Sequence, residues 1–411
     1  MLEEKLGIKD EKPAITNRII AFSAGGYILF NYIGWNSLGL DIISRIFLYL
    51  FLALTCFFIF VKGRQITISL FSVWYFAFGI LGLISSSFAI IDSYAFRAFY
   101  DILIAWIVTF AFIQFARSLS IIKLIFSFFS YAGTILIILL LITGDINSGN
   151  ERLGYKNFNN PNTLGLYLMI SLFCILWLLI YGNRKLFLIN IIIASGLLYV
   201  TALSGGRKYF ASPGLFLFIL LVLRSAKGKK ITFILNIIIF ILIILLVIFT
   251  IMNIPVLYNL IGSRFESYIS FLYGDIAHAD GSAIIRSKMI QMGWESYFPG
   301  KPFFGYGLDN FRVLFSGIYR DLYAHNNYVE ILVDLGLIGL ILYYSFYCYL
   351  LIVLLRMDND STGIRNFFIA FLLTLLVFEW GAVTYSLIQI QILLGLASVY
   401  IGFNINNVNN A

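Results

Sequence analysis

The chain has 411 residues, 61% of them hydrophobic and only 12% charged, with a mean hydropathy of +0.94. So few charges cannot cover a soluble surface of this size, which excludes a string of soluble domains. The formal surplus of eight positive charges does not call for nucleic acid, because the cations sit in short connections between apolar runs.

Those runs, about 18 to 22 residues each, match the thickness of a hydrocarbon core. They predict twelve helices near 17–33, 42–61, 66–84, 98–116, 120–142, 162–181, 186–203, 208–224, 231–252, 327–355, 364–384 and 386–404. Met1 to Arg18 is polar without a cleavable signal pattern, so the N-terminus is expected to be retained. Alternate connections carry the cations: Lys5, Lys9, Lys12 and Arg18; Lys62 and Arg64; Arg117 and Lys123; Arg184 and Lys185; Arg224, Lys227, Lys229 and Lys230; Arg356 and Arg365. Twelve spans put all of them on one side, which the positive-inside rule makes cytoplasmic, together with both termini. The expectation is one all-α polytopic membrane domain over residues 1–411. Cys56, Cys174 and Cys348 lie inside apolar runs and read as small core residues. Only the tail Asn404 to Ala411 is low in complexity.

The opposite side receives residues 84–97, 143–161 and the large loop 253–325. In that loop six basic and six acidic side chains cancel, so its arginines do not set topology. Its Tyr, Phe and Trp content predicts that it folds. Ser282 to Phe298 reads as an amphipathic helix capped by Ser282, with Ile285, Met289 and Met292 on one stripe and Pro299-Gly300 as the stop.

Several polar groups stand out against this background. Arg207, in Ser204-Gly-Gly-Arg207-Lys208-Tyr209, either offers a planar fork to phosphate oxygens or snorkels to the headgroups. Arg286 in the loop helix and Arg264 in Gly262-Ser-Arg264 are anion-binding candidates or plain surface charges. Glu330, Asp334 and Glu379 fall within predicted spans, where carboxylates are costly and usually paired; each is a candidate partner for Arg207 or another arginine, or is protonated or wet near the interface. His325 opens a helix directly after the polar loop. It is either an interfacial polar residue or a base able to take a hydroxyl proton near neutral pH. His278 has no such context and reads as solvent-exposed.

His325-Asn326, nine residues, then Gly336-x-x-Gly339 resembles the signature of the O-antigen ligase and O-antigen polymerase superfamily of bacterial envelope glycosyltransferases. Ser204-Gly-Gly-Arg207 resembles that family's outer arginine before a membrane helix. Arg286 through Trp294, Phe298-Pro299 and Pro302-Phe-Phe-Gly305-Tyr-Gly307-Leu-Asp309-Asn-Phe311 resemble its loop arginine and the Pro-aromatic-Gly-x-Gly segment after it. Asn160-Pro161-Asn162 resembles the start of a middle helix, so the likeness runs from about residue 150 to 345.

The resemblance implies a metal-independent, C-type glycosyltransferase without cofactor at the outer face of the bacterial cytoplasmic membrane. Its donor would be an undecaprenyl-pyrophosphate-linked glycan. Arg207 and Arg286 would hold the pyrophosphate and His325 would assist the acceptor hydroxyl, with inversion. Arg264, Asn326, Tyr209, Glu379 and Glu330 are candidate substrate contacts, and the aromatic loop would stack on sugar rings. Implied partners are the lipid-linked donor and acceptor, membrane lipids, and a chain-length regulator and flippase of the same pathway. A polymerase of O-antigen or capsule is favoured, because Ile, Phe, Asn and Lys usage resembles that of polysaccharide-cluster polymerases. A ligase acting on lipid A core fits the histidine–glycine spacing well, and a lipid-linked saccharide flippase is the reading from another class.

Overall fold

The computed structural model describes residues 15–33, 40–143, 152–154, 160–225, 230–275, 281–316, 322–358 and 362–409, and those residues contain helices and no strands. Lys5, Lys9, Lys12, Lys227, Lys229 and His278 lie outside them. The helices are α1 (Ile15–Ile33), α2 (Asp41–Phe60), α3 (Leu70–Ser85), α4 (Asp92–Phe115), α5 (Leu119–Ile142), α6 (Pro161–Tyr181), α7 (Phe187–Leu203), α8 (Arg207–Ser225) and α9 (Lys230–Asn253). Then follow α10 (Ser263–Leu272), α11 (Gly281–Met292), α12 (Phe311–Ser316), α13 (Asn327–Arg356), α14 (Ile364–Phe378) and α15 (Ile388–Asn409).

A helix occupies each of the twelve predicted stretches. Nine helices among the described residues are long and apolar enough to cross a membrane, and Ile364–Phe378 and Ile388–Asn404 are apolar but shorter. The chain is an all-α polytopic membrane protein. The helix expected over 364–384 stops at Phe378 instead, and the chain runs irregularly to α15. The Glu379 carboxylate explains the break. It accepts hydrogen bonds from Tyr344 and Tyr347 at 2.9 Å each and from the Thr384 hydroxyl, so it anchors a turn where a thirteen-atom helical ring would otherwise continue.

Helix starts follow their caps. Asn160 accepts from the Asn162 amide at 2.9 Å with Pro161 in the first turn, so Asn-Pro-Asn is the opening of α6. Asn326 does the same for α13 through the Val329 amide at 3.0 Å. Helix α6 is the buried centre, packed on α5, α7 and α8, while α8 also meets α9 and α14 and α13 meets α3 and α14. By contrast α9 is almost wholly exposed, as suits an apolar helix that faces lipid. The cysteines divide: Cys174 is a core residue as expected, whereas Cys56 and Cys348 lie on the outside of the bundle, because each falls on a lipid-facing stripe of its helix.

Candidate functional site: a charged cavity beside a kinked helix

The loop before α13 is held by a break in α13 itself. Gly336 has φ 64° and ψ −165° inside an otherwise continuous helix. That frees main-chain groups, and the 302–307 segment takes them: Tyr306 donates to the Val333 carbonyl at 3.0 Å and Gly307 to Asp334 at 2.8 Å, while Leu337 donates to Pro302 at 2.8 Å. The approach is so close that a Cβ on Gly305 would lie 2.4 Å from the Asp334 carbonyl, and one on Gly336 2.3 Å from that of Phe303. Gly305-Tyr-Gly307 and Gly336 are thus two sides of one contact. Gly336 lies nine residues along α13, about 13 Å from its start at 1.5 Å per residue. Irregular backbone at that depth is tolerated because protein groups satisfy it.

Asp334 completes the clasp. Its two carboxylate oxygens accept from the amides of Asp309 and Phe311, each at 2.7 Å. Asn310 ties the same turn to the α3–α4 connection, accepting from Ile91 at 2.8 Å. Asp334→Asn retains one acceptor and replaces the other with a donor, and a buried amide left unsatisfied costs about 1–3 kcal/mol. The variant is expected to lose activity faster than wild type on mild heating in detergent, with equal half-lives as the contrary result.

Met289 of α11 is fully buried against Phe311, Phe315, Ala324, Val329 and Val333, with Ile285 and Met292 packed on the same cluster. The expected apolar stripe is therefore what fastens α11 over the start of α13. In consequence Arg286 of α11 bears electrostatically on His325. His325 has φ 54° and its ring packs on Tyr323 at 4.0 Å between centroids. Its Nδ1 is buried with no partner among the described residues. Burial first, then the like charges of Arg286 and Lys208, push its pKa down to about 3.

Arg207 sits differently. Gly205, at φ 66°, turns the chain into α8, and Arg207 donates to the Arg264 carbonyl at 2.6 Å while its guanidinium lies 5.1 Å from the Tyr268 ring centre. Arg264 reciprocates to the Gly205 carbonyl at 3.0 Å, and Arg152 donates to the Ser204 carbonyl at 2.8 Å. It is Lys208, one residue on, that enters a cavity of about 270 Å³. Tyr209, Tyr323, Glu330, Asp309, Arg312 and Asp101 share its lining, with Asn160 and Asn162 from the start of α6.

Of the alternatives open for the intramembrane carboxylates, pairing with Arg207 is not the one the structure shows. Asp334 and Glu330 bind backbone amides, Glu330 through the Ala324 N–H, and Glu379 binds tyrosine and threonine hydroxyls. Amides and hydroxyls of the adjacent turns reach them first. Tyr209 and Glu330 thus line the cavity with Lys208, whereas Arg286 and His325 stand outside its lining and Arg286 reaches His325 and Lys208 through its charge. Arg207 and Arg264 bind each other's turns, Asn326 caps α13 and Glu379 stands apart. Sequence reasoning passed over Lys208, Arg312, Asp309 and Arg152. The one signal for Lys208 was its adjacency to Arg207. Asp309 lies inside the Pro-aromatic-Gly segment and Arg312 directly after it, the two bonded at 2.5 Å.

Residues 191–344 match the model of the O-antigen ligase family, consistent with the O-antigen polymerase and ligase superfamily. The matched segment contains the α8 turn, α11, the glycine clasp and the histidine turn. No protein of curated function matches the chain.

Proposed function

We propose that this protein is a polysaccharide polymerase, which transfers a glycan from undecaprenyl diphosphate to a sugar hydroxyl of another lipid-linked repeat unit at the outer face of the cytoplasmic membrane. The observation that carries this reading is a buried imidazole, its Nδ1 without a partner among the described residues, under the like charges of Arg286 and of Lys208, which lines a polar cavity. The bond from the anomeric carbon to the diphosphate oxygen breaks and the bond to the acceptor oxygen forms. The acceptor proton passes to His325, and the carrier diphosphate leaves with its charge balanced by Arg286 and the cations at the start of α8. Attack opposite the leaving group inverts the anomeric centre, and this chain has the base that such a direct displacement needs. Guanidinium groups supply the neutralisation that a divalent cation supplies elsewhere, so the reaction needs no metal. Chelator is expected to leave turnover unchanged; activity lost with chelator and regained with magnesium would count against the arginine site.

The match to the O-antigen ligase family supports a ligase acting on lipid A core by the same chemistry. Complementation separates the two. A polymerase-null strain makes a single-repeat product, which this chain is expected to extend to a ladder. Rescue of a ligase-null strain instead would replace the polymerase reading. Rescue of export alone would favour a flippase.

A further inference from the structure

Lys208 is a cation facing the cavity without a carboxylate partner among the described residues. Its ammonium donates to the Gly381 carbonyl and lies between the rings of Tyr209, at 5.0 Å, and Phe378, at 5.4 Å. Arg286 and Arg152 both bear on it with charge of the same sign. Three acids share the lining, Asp101, Asp309 and Glu330, and none of them is ion-paired to Lys208; Asp309 is bonded to Arg312 and Glu330 accepts from the Ala324 amide. A cation so placed inside a membrane protein is costly unless an anion joins it. Across the same lining, Glu330 is fully buried and its Oε1 has no partner among the described residues, an acceptor open to a hydroxyl. The cavity, about 270 Å³, lies just below the range of about 300–1,000 Å³ usual for ligand sites, and its amides and phenols suit a polyhydroxylated molecule.

We propose that Lys208 binds the diphosphate of the donor, bracketing it with Arg286, while Arg207 braces the turn that presents Lys208. This deepens the reading above and rests on it. An anion seated between Arg286 and Lys208 also offsets the like charge that, after burial, holds down proton uptake by His325, so donor binding favours the base.

The test uses the purified full chain in lipid nanodiscs with inorganic pyrophosphate as probe. Lys208→Met is expected to weaken pyrophosphate binding about ten- to hundredfold, the worth of one charge-assisted hydrogen bond, and Lys208→Arg to restore most of it. With lipid-linked donor, Lys208→Met should raise KM more than it lowers kcat, which a merely structural loss would not do. In the wild-type protein, pyrophosphate should shield Lys208 from amine acylation, read by mass spectrometry, so the proposal stands or falls even if Lys208→Met does not fold. Equal binding by Lys208→Met, or acylation unchanged by pyrophosphate, overturns it. If complementation fails in both null strains while pyrophosphate binding still depends on Lys208, the transferase reading falls and this site survives. If the ladder forms and binding ignores Lys208, the reverse holds.

Discussion

Replacing His325 with alanine is expected to cut ladder formation about 10²- to 10⁴-fold, the contribution of a positioned general base, at unchanged membrane abundance. Abundance should hold because the buried Nδ1 makes no hydrogen bond among the described residues and the capping of α13 belongs to Asn326. The pH dependence provides a sharper readout. A pKa pushed down to about 3 means that the neutral, base-competent imidazole persists at every pH above that value. The sign is fixed by the causes, since burial and neighbouring cations both penalise the imidazolium. The kcat/KM profile should therefore lack an acid limb near 6.5 in wild type. Arg286→Gln removes one of those cations, so the limb should move upward toward the ordinary histidine range, while the rate falls about 10²- to 10³-fold through lost stabilisation of the leaving diphosphate. A wild-type limb at 6.5 that Arg286→Gln does not move would remove His325 from the role.

Gly336→Ala and Gly305→Ala are expected to remove most of the protein from the membrane. Both glycines have positive φ, 64° and 68°, and in both the added Cβ meets backbone, not a side chain that could swing aside. Left-handed strain alone costs about 1–3 kcal/mol. Relieving the overlap would part the loop from α13 and forfeit the hydrogen bonds from Tyr306, Gly307 and Leu337. Losses of this size lower abundance severalfold. Gly214→Ala in α8 is the control, since nothing lies within 4 Å of its Cβ. Immunoblots of membrane fractions decide the matter: wild-type amounts of Gly336→Ala would show that the helix can close without the kink.

The helices were readable because lipid imposes one requirement, a long apolar stretch, and nearly every stretch meets it without help from its neighbours. Where α14 ends was not readable, because Phe378 to Thr384 is apolar enough to continue and only tyrosines from α13 divert Glu379. The same limit applies to the site. A titratable imidazole at a helix mouth is visible in one dimension, and so is an arginine after two glycines. Which of Arg207 and Lys208 enters the cavity depends on the rotation of α8 about its axis and on the Arg264 carbonyl that occupies Arg207. Asp334 could be seen as a costly charge, but its two amide donors come from residues more than twenty positions earlier.

The interlocking of Gly305 with Gly336 also constrains how such a protein can diversify. Residues 302–311 and 333–338 form one composite part assembled from two stretches of chain, so an exchange of the outer segment alone between relatives would strand donors and acceptors on both sides. Chimaeras that carry the two stretches together should assemble, whereas those that split them should not, so the two must be exchanged as one unit.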